Sequence, residues 1–270
     1  MEWHDNFESE DEFYYFHQPS SVEEKHQQEG VKYFVHTDSE QRLEDVKNNN
    51  INDKPYETVK DWTPIYHFYK DSPIVYNFNS DGFRDSELPS KPETIDVYLG
   101  CSFTSGVGLH EKDIWVTKVS EKLNFPKLNA GVGSTGIIYQ YRLLMWLLKK
   151  FKIRNLFHYY PLTHARWEWY DSTFGFDRYR SWSASDPNTE PLHQLAEFRN
   201  ISLMSHTFIK AIKQVCSEHS INYLLDYKHI SLDAEKYSIV ERYARDVGHP
   251  GPAFHDILAE KFLKKLGKSL

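Results

Sequence analysis

The sequence predicts an α/β domain with a parallel sheet, preceded by an irregular N-terminal extension. From Thr94 onward, short apolar runs alternate with stretches that have apolar residues at helical spacing, which is the pattern of parallel βα units. Residues 1–60 keep neither a helical nor a strand period. We therefore divide the chain into an extension, residues 1–90, and a main domain, residues 91–270, with helices on both faces of the sheet.

The main domain is expected to alternate strands with helices. Its strands are predicted at Ile95–Gly100, Lys127–Ala130, Asn155–Tyr160 and Ile221–Tyr227. Its helices are predicted at Asp113–Leu123, Gly136–Phe151, Leu195–Glu218 and from about Pro252 onward. Proline fits the first turn of the last helix, which would bury Phe254, Leu258 and Phe262 on one face.

The extension mixes acidic residues with scattered aromatic side chains. Two interpretations of residues 1–60 stay open: an arm that packs its aromatic side chains on the main domain, or a disordered tail. In residues 61–90, extended segments are predicted at Pro64–Tyr69 and Pro73–Phe78, followed by a tight turn at Asn79-Ser80-Asp81-Gly82. This second part is expected to pack against the main domain.

The net charge of −7 belongs to the extension. Residues 1–60 contain fifteen acidic and six basic residues, a balance of −9, which leaves +2 for the rest of the chain. At this charge, the rest of the chain lacks the basic surface that nucleic acids require, so they are not expected partners. Membrane surfaces are disfavoured for the same reason.

The two cysteines, Cys101 and Cys216, are too few for a disulfide framework and are interpreted as reduced. The N-terminus has neither the basic nor the apolar region of a secretion signal, and no apolar run approaches the roughly 18 residues of a membrane span. A soluble protein is expected, cytoplasmic by default. Its oligomeric state stays open.

A serine lies at the tip of the first predicted βα turn. The segment Tyr98-Leu99-Gly100-Cys101-Ser102-Phe103-Thr104-Ser105-Gly106-Val107-Gly108 runs from a strand into a glycine-rich turn. Ligands of open parallel sheets bind beyond the carboxyl ends of the strands, so Ser102 would project into the expected crevice. Its hydroxyl becomes a nucleophile when a neighbouring base removes the proton. Taken alone, such a serine is more often a helix cap.

A candidate base lies near the other end of the chain, immediately before the last helix, in Asp246-Val247-Gly248-His249-Pro250. On a tight loop the Asp246 carboxylate can reach the Nδ1–H of His249, so that Nε2 faces the serine. Ser102, His249 and Asp246 would then form a catalytic triad.

Two of these segments resemble sequence blocks of the SGNH (GDSL-like) hydrolases. The segment 100–106 is similar to the first block of that family and 246–250 to the last, while Asn79-Ser80-Asp81-Gly82-Phe83-Arg84 resembles a lead-in of some members. The resemblance covers roughly residues 79–266. It implies a three-layer, flavodoxin-like α/β/α fold and hydrolysis of esters, often acetyl esters on sugars.

The resemblance also implies an oxyanion site. Asn129-Ala130-Gly131-Val132-Gly133-Ser134-Thr135-Gly136 is similar to the second block, whose backbone N–H holds the oxyanion together with that of Ser102. The usual glycine of the family falls at Ser134, so Gly133 and Ser134 are both assigned this role. A turn of small residues at a helix N-terminus suits developing negative charge.

The third block departs from the family pattern. Members usually have Gly-x-Asn here, whose side-chain amide is a further oxyanion donor, but this strand ends Tyr159-Tyr160-Pro161-Leu162-Thr163-His164-Ala165-Arg166. Thr163, His164 or Arg166 can replace that donor, whose outright loss typically costs about 100- to 1,000-fold in rate. The usual aspartate before the serine is also replaced, by Cys101, which is interpreted as a packed residue and not as a second nucleophile.

Aromatic residues follow the third predicted strand, in an expected long loop over the site. They would either stack on sugar rings or attach an insertion to the core; they are Trp167, Trp169, Tyr170, Phe174, Phe176, Tyr179 and Trp182. Arg84 is interpreted as a packing residue in preference to a ligand of a substrate carboxylate, and Arg166 is left open. The histidines show no metal-ligand spacing and there is no phosphate-binding glycine loop, so neither a metal nor a cofactor is predicted.

Together these features predict a serine-dependent hydrolase of short O-acyl esters, with a small molecule or a glycan as the alcohol. Transfer of the acyl group to another alcohol would use the same residues. The alternative from a different class is a binding or structural module that kept the fold and lost activity, because the third-block asparagine is missing.

Overall fold

The computed structural model describes residues 33–35, 61–71, 74–79, 81–87, 94–133, 135–161, 166–171, 178–183 and 198–268. Its strands are β1 (Tyr33–Val35), β2 (Val75–Asn77), β3 (Thr94–Gly100), β4 (Lys127–Gly131), β5 (Lys152–Tyr159), β6 (Arg166–Asp171), β7 (Arg178–Ser183) and β8 (Asn222–Asp226). Its α-helices are α1 (Thr63–Tyr69), α2 (Ser102–Ser105), α3 (Trp115–Leu123), α4 (Ile137–Lys150), α5 (Phe198–Glu218), α6 (Ile239–Arg242) and α7 (Pro252–Lys265). A 3₁₀ turn at Glu111–Asp113 precedes α3.

Four strands form one sheet in the order β4-β3-β5-β8. Every neighbouring pair in this sheet is parallel. The chain runs from β3 to its neighbour β4 and then crosses to β5, the neighbour of β3 on the opposite edge, as in flavodoxin-like sheets. Such a sheet binds its ligand in the crevice at the carboxyl ends of these two strands. The four predicted strands are confirmed, and the topology defines where a site is expected.

Helices cover both faces of the sheet because the side chains of a strand alternate between its faces. Ile95, Val97 and Leu99 of β3 are buried in a cluster with side chains of α4 and α5. Tyr98 points to the other face, into a cluster with side chains of α3 and α7. Helix α4 packs on α5, and α3 packs on α7. The predicted three-layer α/β/α class is therefore confirmed.

The last helix begins at Pro252, as predicted, and its Phe254, Leu258 and Phe262 are buried. Gly251 precedes it, and a Cβ at this position would lie 2.5 Å from the carbonyl oxygen of Glu241. Glycine is needed for this close approach, which ties the start of α7 to the end of α6. No helix in the described part of the chain is long and apolar enough to cross a membrane.

Residues 61–71 include a helix where the sequence predicted an extended segment. Pro64 occupies the first turn of α1, where its missing N–H removes no helical hydrogen bond. Ile65 and Tyr69 are buried on one face of this helix. The extended prediction for Pro64–Tyr69 was wrong because two buried positions in seven residues are too few to show a helical period.

The second extended segment and the tight turn are confirmed, whereas β1 was not predicted. Strand β2 lies within the predicted extended segment and pairs antiparallel with β1. In the tight turn that follows, Asn79 Oδ1 accepts hydrogen bonds from the N–H groups of Asp81 and Phe83. Gly82 has a φ of +80°, which only glycine adopts without strain. This turn leads the chain to Arg84.

The aromatic segment after β5 contains two strands where a long loop was expected. Strands β6 and β7 pair antiparallel, with Trp167 opposite Trp182 and Tyr170 opposite Tyr179. The alternation in Arg166-Trp167-Glu168-Trp169 is the strand signal that the sequence interpretation missed. Phe174 and Phe176 lie outside the described residues.

Candidate active site

Ser102 is the first residue of α2, a single turn that begins just after β3. Glycines at the ends of β3 and β4 make room for α2. A Cβ on Gly100 would lie 2.1 Å from Thr104 Oγ1, and a Cβ on Gly131 would lie 2.3 Å from a backbone nitrogen of α2. Thr104 is buried, whereas Ser102 is partly exposed at the carboxyl edge of the sheet. We call residues 102–109 the serine turn.

Arg84 binds the carbonyl groups of the serine turn. Its guanidinium donates hydrogen bonds to the carbonyl oxygens of Ser105 at 3.0 Å, of Gly106 and of Leu109 at 2.6 Å. The side chain is buried and lies 4.0 Å from the centre of the Tyr76 ring. Burial lowers the pKa of Arg84, while the nearby Tyr76 raises it. Because the guanidinium is occupied in this way, the structure supports the packing interpretation of Arg84.

The predicted acid and base lie on the loop between α6 and α7 and contact each other. Asp246 Oδ2 pairs with Nδ1 of His249. Asp246 Oδ1 accepts hydrogen bonds from the N–H groups of Gly248 at 3.3 Å and of His249 at 3.2 Å. We call residues 243–251 the histidine loop.

The surroundings of Asp246 favour its charged form. Burial by itself raises the pKa of this carboxyl, but the charge of His249 and the hydrogen bonds from His249 and Gly248 outweigh it. The net result is a pKa below the ordinary aspartate value. An ionised carboxylate at Nδ1 fixes the orientation of the imidazole, so that Nε2 is the nitrogen left for proton transfer.

The histidine loop is closed and anchored. Tyr243 and Pro250 form an antiparallel bridge, and the Ala244 N–H donates to the carbonyl oxygen of His249 at 2.9 Å. Val247 has a φ of +51°, a conformation that β-branched residues rarely adopt. Its side chain is fully buried among apolar residues of α1 and β2. This burial offsets a backbone strain on the order of 1–3 kcal/mol.

The serine turn and the histidine loop contact each other directly. The rings of Phe103 and His249 meet edge to face, with 5.8 Å between their centroids. The Arg245 N–H donates to the Gly108 carbonyl oxygen at 3.0 Å. Gly108 has a φ of +76°, and a Cβ there would lie 2.9 Å from Asp246 Oδ1. These contacts bring the acid–base pair to the edge of the sheet where the serine turn begins.

The predicted oxyanion donors are only partly described. The N–H of Ser102 has no hydrogen-bond partner among the residues that the structure describes. Gly133 is exposed between β4 and α4, where a Cβ would meet nothing within 4 Å. Ser134, Thr163 and His164 lie outside the described residues, and Arg166 is described only as the backbone at the start of β6. The oxyanion roles therefore stay predictions.

Two buried histidines lie apart from this constellation. His158 contacts Gln140 through Nε2 and Tyr223 through Nδ1, both at 2.8 Å. Nδ1 of His255 accepts a hydrogen bond from the Trp115 N–H at 3.1 Å. Burial lowers the pKa of each imidazole to about 3. Both rings are therefore neutral near pH 7 and belong to the packing of the two sides of the sheet.

Both cysteines are free and buried. Cys101 immediately precedes α2 and packs among side chains of the α3 and α7 side of the sheet. Burial raises the pKa of Cys216 to about 12. These surroundings support the interpretation of Cys101 as a packed residue. In the described ranges, no three His, Cys, Asp or Glu side chains are grouped as metal ligands would be.

Sequence reasoning missed the residues that connect the extension to the site. The Tyr76 hydroxyl accepts a hydrogen bond from the Gly108 N–H at 2.7 Å. Nothing in the sequence distinguishes Tyr76 from other tyrosines in apolar segments, because its partner lies 32 positions away. Arg84 was recognisable from its motif, but its binding of the serine turn was not.

No protein-family model and no curated protein matches the chain. Among solved structures, the chain is similar to a lipolytic protein of the G-D-S-L family from Desulfitobacterium hafniense DCB-2, with 13% identity, a TM-score of 0.33 and coverage of 63% of this chain and 97% of that one. It is also similar to a member of the lipolytic protein G-D-S-L family from Veillonella parvula DSM 2008, with 16% identity, a TM-score of 0.34 and the same coverage, 63% and 97%. Similarity of this size assigns no function, which therefore depends on the geometry of the site.

Proposed function

We propose that the protein is a serine-dependent hydrolase of short O-acyl esters. Ser102 is the nucleophile, His249 is the general base and Asp246 orients His249. The observation that supports this most strongly is the Asp246–His249 pair, held against the turn that begins with Ser102. A carboxylate, an imidazole and a hydroxyl are the groups that acyl transfer of this kind requires.

In the proposed reaction, Nε2 of His249 takes the proton of the Ser102 hydroxyl while Oγ attacks the ester carbonyl carbon. The tetrahedral intermediate breaks its bond to the alcohol oxygen, and the alcohol leaves with the proton from the imidazolium. Water then attacks the acyl-enzyme and gives a proton to His249. The carboxylic acid is released when the Ser102 oxygen regains that proton. Asp246 stays ionised and stabilises the imidazolium in both halves of the reaction.

The developing oxyanion is proposed to bind the N–H of Ser102 and that of Gly133 or Ser134. The first N–H groups of a helix have no partner within the helix, so that of Ser102 can bind the oxyanion without breaking an internal hydrogen bond. Thr163, His164 or Arg166 is proposed as a third donor, in the position of the missing asparagine. Each such donor contributes about 100- to 1,000-fold in rate.

The alcohol is proposed to be a small molecule or a sugar. Aromatic residues of β6 and β7 follow β5, whose carboxyl end lies at the crevice of the sheet. Their rings have both apolar faces and, in tyrosine and tryptophan, a polar group, which suits a sugar surface. No cofactor enters this reaction.

A fluorophosphonate probe tests the proposal, because it reacts with serines that a base has activated. The expected product is a single adduct on Ser102, lost in both Ser102→Ala and His249→Ala. Ser105→Ala and His219→Ala are the matched controls, since they remove a partly exposed hydroxyl of the same turn and an exposed imidazole elsewhere. Both controls should label as the wild type does. A folded wild type that does not label would overturn the proposed hydrolase function in favour of a binding module.

A further inference from the structure

Two residues of the extension, Tyr76 and Arg84, form a stacked pair against the serine turn. The guanidinium carbon of Arg84 lies 4.0 Å from the centre of the Tyr76 ring. Their exposed fractions are 3% for Tyr76 and 4% for Arg84, so neither is placed to touch a substrate. Both side chains bind backbone atoms of the serine turn.

Arg84 adds hydrogen bonds to three carbonyl oxygens of the serine turn. A helix of one turn leaves its last carbonyl oxygens without helical partners. The carbonyl oxygens of Ser105, Gly106 and Leu109 all accept from Arg84. The planar guanidinium can bind several oxygens in a fixed geometry, which a flexible ammonium cannot. The shape of the turn that begins with Ser102 therefore depends on a residue outside the main domain.

Tyr76 connects the serine turn to the acid–base pair through one residue, Gly108. The Tyr76 hydroxyl accepts from the Gly108 N–H at 2.7 Å. The Gly108 carbonyl oxygen accepts from the N–H of Arg245 at 3.0 Å, and the glycine backbone lies against the Asp246 carboxylate. A displacement of Gly108 would therefore change the position of Asp246 relative to the serine turn.

The extension also holds the histidine loop from its other side. Val247, which lies between Asp246 and His249, is buried in a cluster that includes Ile65, Ile74 and Tyr76. The ring of Trp62 meets the ring of Tyr243, at the start of the loop, with 5.0 Å between centroids. Tyr76 thus contacts both halves of the candidate site at once.

We propose that Tyr76 and Arg84 are positioning residues, which set the separation between Ser102 and the Asp246–His249 pair. This inference rests on the proposed hydrolase function. Its physical basis is that a displacement of about 1 Å in a catalytic group can cost about 100-fold in rate. The alternative is that the pair stabilises the fold and has no particular effect on the reaction.

Tyr76→Phe separates these alternatives, because it removes one oxygen atom and leaves the ring and Arg84 in place. Its matched control is Tyr223→Phe, which removes a hydroxyl that is partly buried and hydrogen-bonded, in this case to His158. With p-nitrophenyl acetate, Tyr76→Phe should lower kcat about 10- to 100-fold. KM should change by less than about twofold, because no ground-state contact with the substrate is lost. Labelling of Ser102 by a fluorophosphonate should slow by a similar factor, and Tyr223→Phe should change neither rate.

Arg84→Lys and Arg84→Met supply a second measurement, based on rescue by the conservative variant. Lysine keeps the charge but not the planar guanidinium, so the hydrolysis rate of Arg84→Lys should fall between those of the wild type and Arg84→Met. If the methionine variant does not fold, the Tyr76→Phe comparison still decides.

Each outcome separates the inference from the function on which it rests. An active wild type with a Tyr76→Phe variant equal to it would overturn the positioning role and leave the hydrolase intact. Equal losses in Tyr76→Phe and Tyr223→Phe, in proportion to their losses of stability, would also overturn it. A folded wild type that neither hydrolyses the ester nor labels at Ser102 would overturn the proposed function, and the positioning role with it.

Discussion

In the proposed mechanism, Asp246 is the residue that orients His249. Its two carboxylate oxygens receive three hydrogen bonds from the loop itself. These contacts outweigh the effect of burial, so the pKa of Asp246 stays below the ordinary aspartate value and the group is charged near neutral pH. A spacing of three residues on the chain is enough for this contact, which is why the sequence could predict it.

Asp246→Asn is the substitution that tests this residue. An amide keeps the size of the side chain but supplies no negative charge and favours the wrong tautomer of His249. We expect kcat to fall about 1,000- to 10,000-fold, as measured with p-nitrophenyl acetate on variants that remain folded. The control is Asp233→Asn, which changes an exposed carboxyl that accepts a hydrogen bond from the nearby Glu235 N–H. A wild-type kcat in Asp246→Asn would show that this carboxylate does not orient the base.

At the scale of elements, the serine turn fits between β3 and β4 because both strands end in glycine. Two glycines at and just after the end of β4 differ sharply in their surroundings. A Cβ on Gly131 would meet the backbone of α2, whereas a Cβ on Gly133, two positions later, would meet nothing within 4 Å. Alanine at Gly131 therefore tests the packing of the serine turn, whereas alanine at Gly133 leaves that packing unchanged and keeps the backbone N–H.

Gly131→Ala should destabilise the protein by about 1–3 kcal/mol, since the new Cβ displaces backbone atoms of α2. Gly133→Ala should change the free energy of unfolding by less than about 0.5 kcal/mol. Urea unfolding measures both values, and fluorophosphonate labelling reports the position of Ser102. Labelling should slow in Gly131→Ala and persist in Gly133→Ala, whose N–H remains. Equal stabilities would mean that the turn does not approach β4 this closely.

Elements with long apolar patterns were predictable, and short ones were not. The strands of the parallel sheet are apolar because both of their faces are buried, and α4 and α7 have apolar residues at helical spacing. Helix α1 is too short to show a period, and the alternation in β6 is a short signal among aromatic residues that also suit a loop. Their conformations depend on partners that the local sequence does not specify.

At the scale of the whole molecule, the candidate site joins residues from three distant parts of the chain. The sequence indicated Ser102, His249 and Asp246 as candidates because each lies in a short segment with its own chemical pattern. Tyr76 was not, because its role exists only through a contact with Gly108. The fold thus adds to the site what the sequence blocks do not contain.

Stability should depend on pH through two histidines, one on each side of the sheet. His158 and His255 have folded pKa values of about 3, against an ordinary value of 6.5. Above pH 6.5 both are neutral in the folded and the unfolded chain, so their protonation does not lower the free energy of unfolding. Below it, the unfolded chain binds protons that the folded chain does not, and the free energy of unfolding falls as the pH falls toward about 3.

Urea unfolding at a series of pH values measures this decline. Each histidine should contribute at most about 1.4 kcal/mol per pH unit. Asp246 affects stability only at lower pH. Its folded pKa lies below the ordinary 3.8, so its contribution to the free energy of unfolding is lost as the pH falls below that value. His158→Gln should make the decline shallower, whereas the exposed His219→Gln should leave it unchanged. A stability independent of pH between 6.5 and 3.8 would contradict the neutral buried state of both rings.

The most direct test of the central claim is the hydrolysis of p-nitrophenyl acetate by the wild type, Ser102→Ala and His249→Ala, each confirmed to be folded. Ser105→Ala is measured beside them as the control on the same turn. The proposed mechanism predicts that hydrolysis falls to the uncatalysed background in both site variants and persists in the control. Equal rates in the wild type and both site variants would contradict a reaction at Ser102 and His249.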